Sequence, residues 1–437
     1  MILRKPRTIP VFSTYTASLK GEIVFTKYTC FAIIEYNAGM QKIIPIPHQK
    51  LALPMPSAEA LAASEQLHRL IRREIQDAQG IIPFSRYMEL ALYTPQLGYY
   101  SGGSIKLGSD GDFTTAPEMT SLFGASLAQF MRPYLAAGQA NIMEFGAGSG
   151  KLAFDILSEC QHAGISINRY FIVELSGELR ARQEQRLKDF PQVEWLTEIP
   201  SSFTGIVLGN EVLDAMPVEL VIKSETGWHL LGVGIDQANH FTLEVMEVEV
   251  SEEMLAQIPE AEALPVGYIS EIHPIAIGFM RSVSDMLLAG KRASNQDSLC
   301  VWIDYGFPAH EYYLEQRSKG SLMCHYRHHA HPDPFYLPGL QDITAHVDFT
   351  AVARAGLEQG LSLAHYSSQA GFLLEAGITD IVSRIPVEDS RRYLPATNAL
   401  QKLISPAEMG ELFKVLVMST GMPIEARFAR VDRSHRL

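Results

Sequence analysis

Apolar positions along the chain change their period more than once. Between Ser57 and Gly80, the residues Leu61, Leu67, Leu70, Ile71 and Ile75 approximate one face of a helix. Ser57 is a natural N-cap, Glu59 complements the positive helix end, and Gly80 closes the segment. The stretch "IPFSRYMELALYTPQLGYYSGG" predicts a short helix and then an aromatic, Gly-rich loop. A turn-rich segment follows, with a helix from about Thr120. From Asn141 the pattern becomes strand and helix in alternation. Apolar strands are predicted over 142–145, 170–174, 193–196, 205–209 and 299–304. This rhythm predicts an α/β fold with a mostly parallel sheet covered by helices. After Pro217 the period drops to two over "VELVIKSETGWHLLGVGIDQANHFTLEVMEVEV", a β-meander inserted into the sheet domain. "PIAIGFMRSVSDMLLAG" then leads back helically to the strand ending at Asp304, and a last strand, helix and strand lie in "LSLAHYSSQAGFLLEAG" and "FKVLVMST". The expected units are a basic extension (1–55), a helical cofactor-covering region (56–130), a core (131–217 and 295–437) and an inserted substrate-binding meander plus helix (218–294).

Composition narrows the choice. The 437 residues allow two or three domains, and 47% hydrophobic with 19% charged is ordinary for a globular chain. The net charge is −13, which argues against general affinity for nucleic-acid backbone. Residues 1–50 hold seven Lys/Arg against two Asp/Glu, or +5, so the remainder carries −18. The four cysteines form no CxxC pair, which favours neither a disulfide framework nor a zinc ribbon. No apolar run approaches the ~20 residues that span a bilayer. The basic first fifty residues make a poor secretory signal; a mitochondrial presequence, a loose extension, or sequence ahead of a start at Met55 all fit them.

The glycine loop "MEFGAGSGKL" carries the chemistry. A P-loop would need glycine at Phe145 and a hydroxyl at Leu152, and the dinucleotide fingerprint would need a third glycine at Lys151. What remains is an acid, Glu144, leading into Gly146, Gly148 and Gly150. Such a loop lets a ligand approach the backbone closely, and its carboxylate attracts a cation. This suits S-adenosylmethionine, a sulfonium without phosphates. A second acid, Glu174, ends the next strand 24 residues past the last glycine, where a ribose acid belongs.

At the fourth strand, "GIVLGNEVLDAMPVEL" places Asn210, Glu211 and Asp214 just past the strand end. Methyl transfer mainly needs alignment of the acceptor and exclusion of water. Two carboxylates there suit a guanidinium, which is planar, permanently charged and takes bidentate carboxylate contacts. The plainer alternative makes Asp214 a turn cap and Glu211 a solvated loop residue.

Six motifs in order, "YMELALYTPQLGYYSGG", "GDFTTAPEMTSLFG", "MEFGAGSGKLAFDIL", "GNEVLDAMPVEL", "VWIDYGFP" and "DPFYLPGLQDITAHVDF", resemble the MidA family of S-adenosylmethionine-dependent methyltransferases, from roughly residue 60 to the C-terminus. The resemblance implies a class I methyltransferase fold with added elements, and methylation of protein arginine. It also implies a protein client, such as a subunit of respiratory complex I during assembly, and a location in bacterial cytoplasm or the mitochondrial matrix. A homodimer is compatible with it. By that resemblance Glu144, Gly146, Gly148, Gly150 and Glu174 hold the cofactor. Thr115, Pro117 and Glu118 lie over it, and Asn210 sits at the junction with the acceptor side. Glu211, Asp214 and His346 are the catalytic candidates. Alternatives in view are an assembly chaperone that binds the cofactor without essential catalysis, and a methyltransferase for a small amine or RNA.

Other signals weigh less. "CHYRHHAHPDPF" reads as one loop without the partner knuckle a zinc site needs, so no metal is expected. "SGELRARQEQRLKDF" interleaves Glu and Arg at helical spacing, a solvated face rather than a nucleic-acid helix. Asp348 fits a helix N-cap, Tyr87 fits core or acceptor pocket, and Asp304 is open between a structural and a cofactor-adjacent place.

Overall fold

The computed structural model describes residues 43–44, 53–102, 115–136, 141–174 and 176–437. The basic extension therefore lies almost wholly outside the described residues.

A central sheet organises the chain. Its main strands are β1 (Asn141–Phe145), β2 (Arg169–Val173), β3 (Val193–Leu196), β4 (Ile206–Asn210), β5 (Leu299–Phe307), β6 (Ser362–Ser368) and β7 (Phe413–Ser419). Their spatial order is β3-β2-β1-β4-β5-β7-β6, and β7 runs antiparallel to both of its neighbours. The other pairs are parallel, in registers such as Phe145 opposite Gly209 and Gly209 opposite Trp302. Connection from β1 leads outward to β2 and β3, whereas β4 returns to the other flank of β1. This reversal opens a crevice at the carboxyl ends of β1 and β4, where ligands of such sheets sit. All five predicted parallel strands are present within two residues, except that β5 continues to Phe307.

Helices cover both faces because the strands are apolar on both. One side packs α4 (Ser121–Ala136), with Phe123, Phe130 and Met131, and α5 (Lys151–His162), with Leu152 and Ile156, against Ile142, Ile172 and Val301. The other packs α7 (Pro274–Ser294) and α8 (Phe349–Gln359) around Trp302, with Met280, Val283, Leu287 and Val352 fully buried. Burying each such aliphatic side chain contributes about 1.5–3 kcal/mol.

The inserted meander forms as predicted: strands Glu219–Lys223, Trp228–Ile235 and Phe241–Glu249 pair in sequence, and Ile269–Ile272 adds to the first. Its apolar face receives α1 (Ala58–Asp77) and α2 (Phe84–Tyr93). Ser57 caps α1, its Oγ accepting the Ala60 N–H at 3.2 Å. The buried face of α1 is Ser64, Leu67, Ile71 and Ile75, a stripe that advances by three and then four residues; Leu70 lies at its edge and is 37% exposed. Two unit boundaries shift physically. α1 and α2 pack on the meander whereas α4 packs on the central sheet, and α7 belongs to the central sheet rather than to the insert.

Further elements lie where the sequence pattern predicts none. The histidine-rich stretch is no single loop: Met323–Tyr326 and His329–His331 form a hairpin that pairs with Asp342–Thr344. Helices Ile378–Ser383 and Ser390–Ile404 fill the span before β7.

Candidate active site

The crevice at the β1–β4 reversal is a cavity of about 750 Å³. Its walls come from four segments: the Tyr93–Gly102 loop with α3 (Ala116–Met119), the loop after β1, the loop after β2, and the loop after β4. From the predicted insert only Phe279 of α7 reaches it.

The loop after β1 folds as its glycines require. Gly146, Gly148 and Gly150 have φ of +65°, +51° and +76°, a region L-residues avoid. A Cβ at Gly146 would also stand 2.7 Å from Val212 Cγ2, so the loop after β4 presses on it. Gly146 and Gly148 line the cavity. Gly150 does not; it starts α5 behind the loop.

Glu144 lies in β1 with its side chain in the cavity wall, 2% exposed, its Oε2 accepting the Tyr170 hydroxyl at 2.7 Å. Burial pushes its carboxyl up to about 7, the Tyr170 bond opposes this, and the Glu174 charge adds to it. Glu174 follows β2. Its Oε1 accepts the Ser176 N–H and its Oε2 the Gln183 amide, at 2.8 and 2.9 Å. Gln183, which the sequence pattern left unmarked within a charged helix, also donates to the Gly148 carbonyl at 2.9 Å.

α3 bridges the two halves of the cavity. Ser149 Oγ donates to Glu118, and Arg186 of α6 (Gly177–Arg186) donates to Ser149 and lies 3.8 Å from Glu118. At the start of α3, the Ala116 N–H donates to the Glu211 carboxylate. Thr115 and Pro117 line the cavity beside them.

Glu211 has φ +52°, uncommon for a side-chain-bearing residue, with its N–H bonded to the Ile303 carbonyl at 2.8 Å. Asn210 Nδ2 donates to Glu211 Oε1 at 3.1 Å. Burial pushes Glu211 up to about 8, and the charge of Asp214 adds to this. Asp214 is 5% exposed and also raised by burial, although the Tyr305 hydroxyl opposes the shift. Behind them stands Asp304, whose Oδ2 accepts the N–H groups of Val212, Leu213 and Asp214 at 3.1, 2.9 and 3.2 Å. This answers the question its sequence position left open: it braces the loop and does not line the cavity. Among the described residues, Asn210 Oδ1 and Asp214 Oδ1 are buried without a hydrogen-bond partner. Unsatisfied buried acceptors of this kind fit a ligand that donates to them.

His346 is placed elsewhere. Its ring is wedged between Tyr305 and Phe307, each 5.3 Å between centroids, and is not in the cavity wall. Burial and then the Arg317 charge push it down to about 4, so it is neutral near pH 7. Asp348 caps α8 through the Thr350 and Ala351 N–H groups. Tyr87 is fully buried, its hydroxyl donating to the Pro334 carbonyl, a core position. Aromatic walls come instead from Tyr93 and Tyr100, stacked at 5.5 Å, and from Tyr99.

A strand-order reversal carrying a glycine loop and two strand-end acids defines a class I methyltransferase site. The profile of a family described as "Putative S-adenosyl-L-methionine-dependent methyltransferase" matches residues 122–367, more than half the chain, and the chain belongs to that family. Among solved structures it is 50% identical, with a TM-score of 0.82, to a COG1565 superfamily member from Burkholderia thailandensis bound to S-adenosyl-homocysteine; the match covers 88% of this chain and 100% of that one. It is also similar to the mitochondrial protein arginine methyltransferase NDUFAF7 of Danio rerio (27% identity, 77% of this chain, 83% of the relative). The Bos taurus protein of the same name gives 27%, 78% and 80%. S-adenosylmethionine is therefore the cofactor, and the cavity is compatible with it: a glycine loop open to close approach, two acids in the wall, and buried acceptors on the far side.

Proposed function

We propose that the chain methylates an arginine side chain of a protein partner. The observation that carries this reading is the pair of acids, half-buried Glu211 and buried Asp214, facing the same cavity as the glycine loop, with stacked tyrosines beside them. Buried carboxylates without a cation are costly, so a guanidinium is the acceptor that relieves them. The relatives named as protein arginine methyltransferases agree with it.

Glu144, Gly146, Gly148 and Glu174 would hold the cofactor, with Thr115, Pro117 and Glu118 above it and Asn210 at the junction. When bound, S-adenosylmethionine supplies an electrophilic methyl group. Glu211 and Asp214 grip the guanidinium, localise its charge and turn one nitrogen toward the methyl. Burial pushes Glu211 up to about 8 in the free protein; the incoming guanidinium favours its ionised form, and that carboxylate then takes the proton that the methylated nitrogen releases and passes it to water. Tyr305 holds Asp214, and His346 packs behind Tyr305, so His346 supports the acceptor side without touching the substrate. The meander with α1 and α2 provides the surface a protein client would meet. A respiratory-complex subunit, in bacterial cytoplasm or mitochondrial matrix, is the client class the family resemblance implies. Among the described residues no helix is long and apolar enough to cross a membrane.

The test is Glu211→Gln. Incubated with methyl-labelled cofactor and cell extract, the native chain labels a protein at arginine and Glu211→Gln labels it at least a hundredfold more slowly, while calorimetry shows unchanged S-adenosylhomocysteine binding. Full labelling by the variant removes Glu211 from the reaction. Lost labelling with client assembly intact would make this a cofactor-binding assembly factor.

A further inference from the structure

Gln183 sits at the centre of α6, among Arg and Glu residues, yet is 0% exposed. Its amide has a determined orientation. The Trp195 indole N–H, a group that can only donate, points to Gln183 Oε1 at 2.9 Å. The two amide protons must then face the other way, and they do: Nε2 donates to the Gly148 carbonyl and to Glu174 Oε2, both at 2.9 Å. Every group of the amide is used. Its partners are the glycine loop after β1 and the acid after β2, which the amide links directly.

From this geometry we infer that Gln183 is a positioning residue for cofactor binding, setting the Glu174 carboxylate at a fixed angle to the glycine loop so that it meets the ribose hydroxyls. The inference rests on the assignment of Glu174 to the ribose made above. Glu174 Oε1 is held by the Ser176 N–H and Oε2 by Gln183. Glu174 lines the cavity, so a diol bound there would lie beside its carboxylate. Without Gln183 the carboxylate loses the side-chain tie to the glycine loop. The same residue packs against the third glycine of the loop. A Cβ at Gly150 would lie 3.3 Å from Gln183 Cγ and 3.4 Å from its Cα. Gly150 is required first by its φ of +76°, and its lack of a side chain also leaves Gln183 room; it does not line the cavity.

The experiment measures calorimetric affinity for S-adenosylhomocysteine and its 2′-deoxy analogue in the native chain and in Gln183→Leu, Trp195→Phe and Glu174→Ala. Loss of one charge-assisted hydrogen bond is worth about tenfold. The native chain is expected to bind the 2′-deoxy analogue about tenfold more weakly. Gln183→Leu is expected to weaken S-adenosylhomocysteine about tenfold and to shrink the deoxy penalty to less than threefold, because the carboxylate no longer meets the missing hydroxyl. Trp195→Phe, which keeps the ring but frees the amide to flip, moves both values the same way and less far. A role in packing alone would lower both affinities equally and leave the penalty at its native size, which overturns the inference. So does native affinity in Gln183→Leu while Glu174→Ala loses it, and there the ribose assignment survives. If Glu174→Ala also binds normally, the ribose assignment itself falls. Should Gln183→Leu fail to fold, Trp195→Phe decides: an unchanged deoxy penalty rejects the positioning role.

Discussion

Gly146 shows how much one atom decides. At φ +65° an alanine costs about 1–2 kcal/mol, and its Cβ would press on Val212 at 2.7 Å. Gly146→Ala is expected to weaken S-adenosylhomocysteine binding at least tenfold by calorimetry, with the circular dichroism spectrum kept. Adding Val212→Ala removes the contact but not the backbone strain, so the double variant should recover part of the loss. The glycine spacing was legible in the sequence, because a tight strand-to-helix turn imposes positive φ at those positions locally. Gln183 was not, since a glutamine in a run of Arg and Glu looks like any solvated helix position. Only the contact with Gly148, Glu174 and Trp195 distinguishes it. His346 errs in the other direction: a histidine in a motif reads as chemistry, while its ring is wedged between Tyr305 and Phe307.

Among the elements, the end of β5 governs the loop after β4. Asp304 Oδ2 collects three consecutive N–H groups of that loop, and its Oδ1 accepts the Tyr305 N–H at 2.9 Å. This holds Glu211 in its left-handed conformation and sets Asp214 beside Tyr305. Burial, and then the charges of Asp214 and Glu211, push Asp304 upward. Asp304→Ala would orphan buried N–H groups at about 1–3 kcal/mol each. Urea denaturation is expected to show a loss of about 3 kcal/mol or more, with methylation abolished. Asp304→Asn keeps one acceptor oxygen and should restore most of the stability. α3 plays the corresponding part across the cavity, linking the glycine loop through Glu118 to the acceptor loop through Ala116.

At the scale of the molecule, buried acids shape the response to pH. Glu144, Glu211 and Asp348 are pushed up to about 7, 8 and 7 by burial. In the unfolded chain such groups titrate near 4. The native state therefore holds protons that the unfolded chain has released, and stability falls as pH rises through this window. Buried His273, His331 and His365 and half-buried His346, pushed down to about 3, 4, 4 and 4, act in the opposite sense below about 6.5. Lys414, lowered to about 8, adds stability only above that pH. The carboxyl effect is left uncompensated between about 6.5 and 8. The melting temperature is expected to fall across that range, and Glu211→Gln should flatten the fall; a rising curve in the native chain would contradict the protonated state of this cluster.

Fold class, strand positions, the meander and the cofactor loop follow from the sequence alone, because each is a short-range consequence of hydrophobic period, turn chemistry or strand-end placement. Tertiary structure alone assigned α7 to the central sheet, turned the histidine-rich stretch into a hairpin, and made Asp304 a brace rather than a ligand. It also joined Gln183 to an acid nine residues before it and a carbonyl 35 residues before it. Those roles depend on which buried donors and acceptors meet across the crevice, and a linear pattern does not record such meetings.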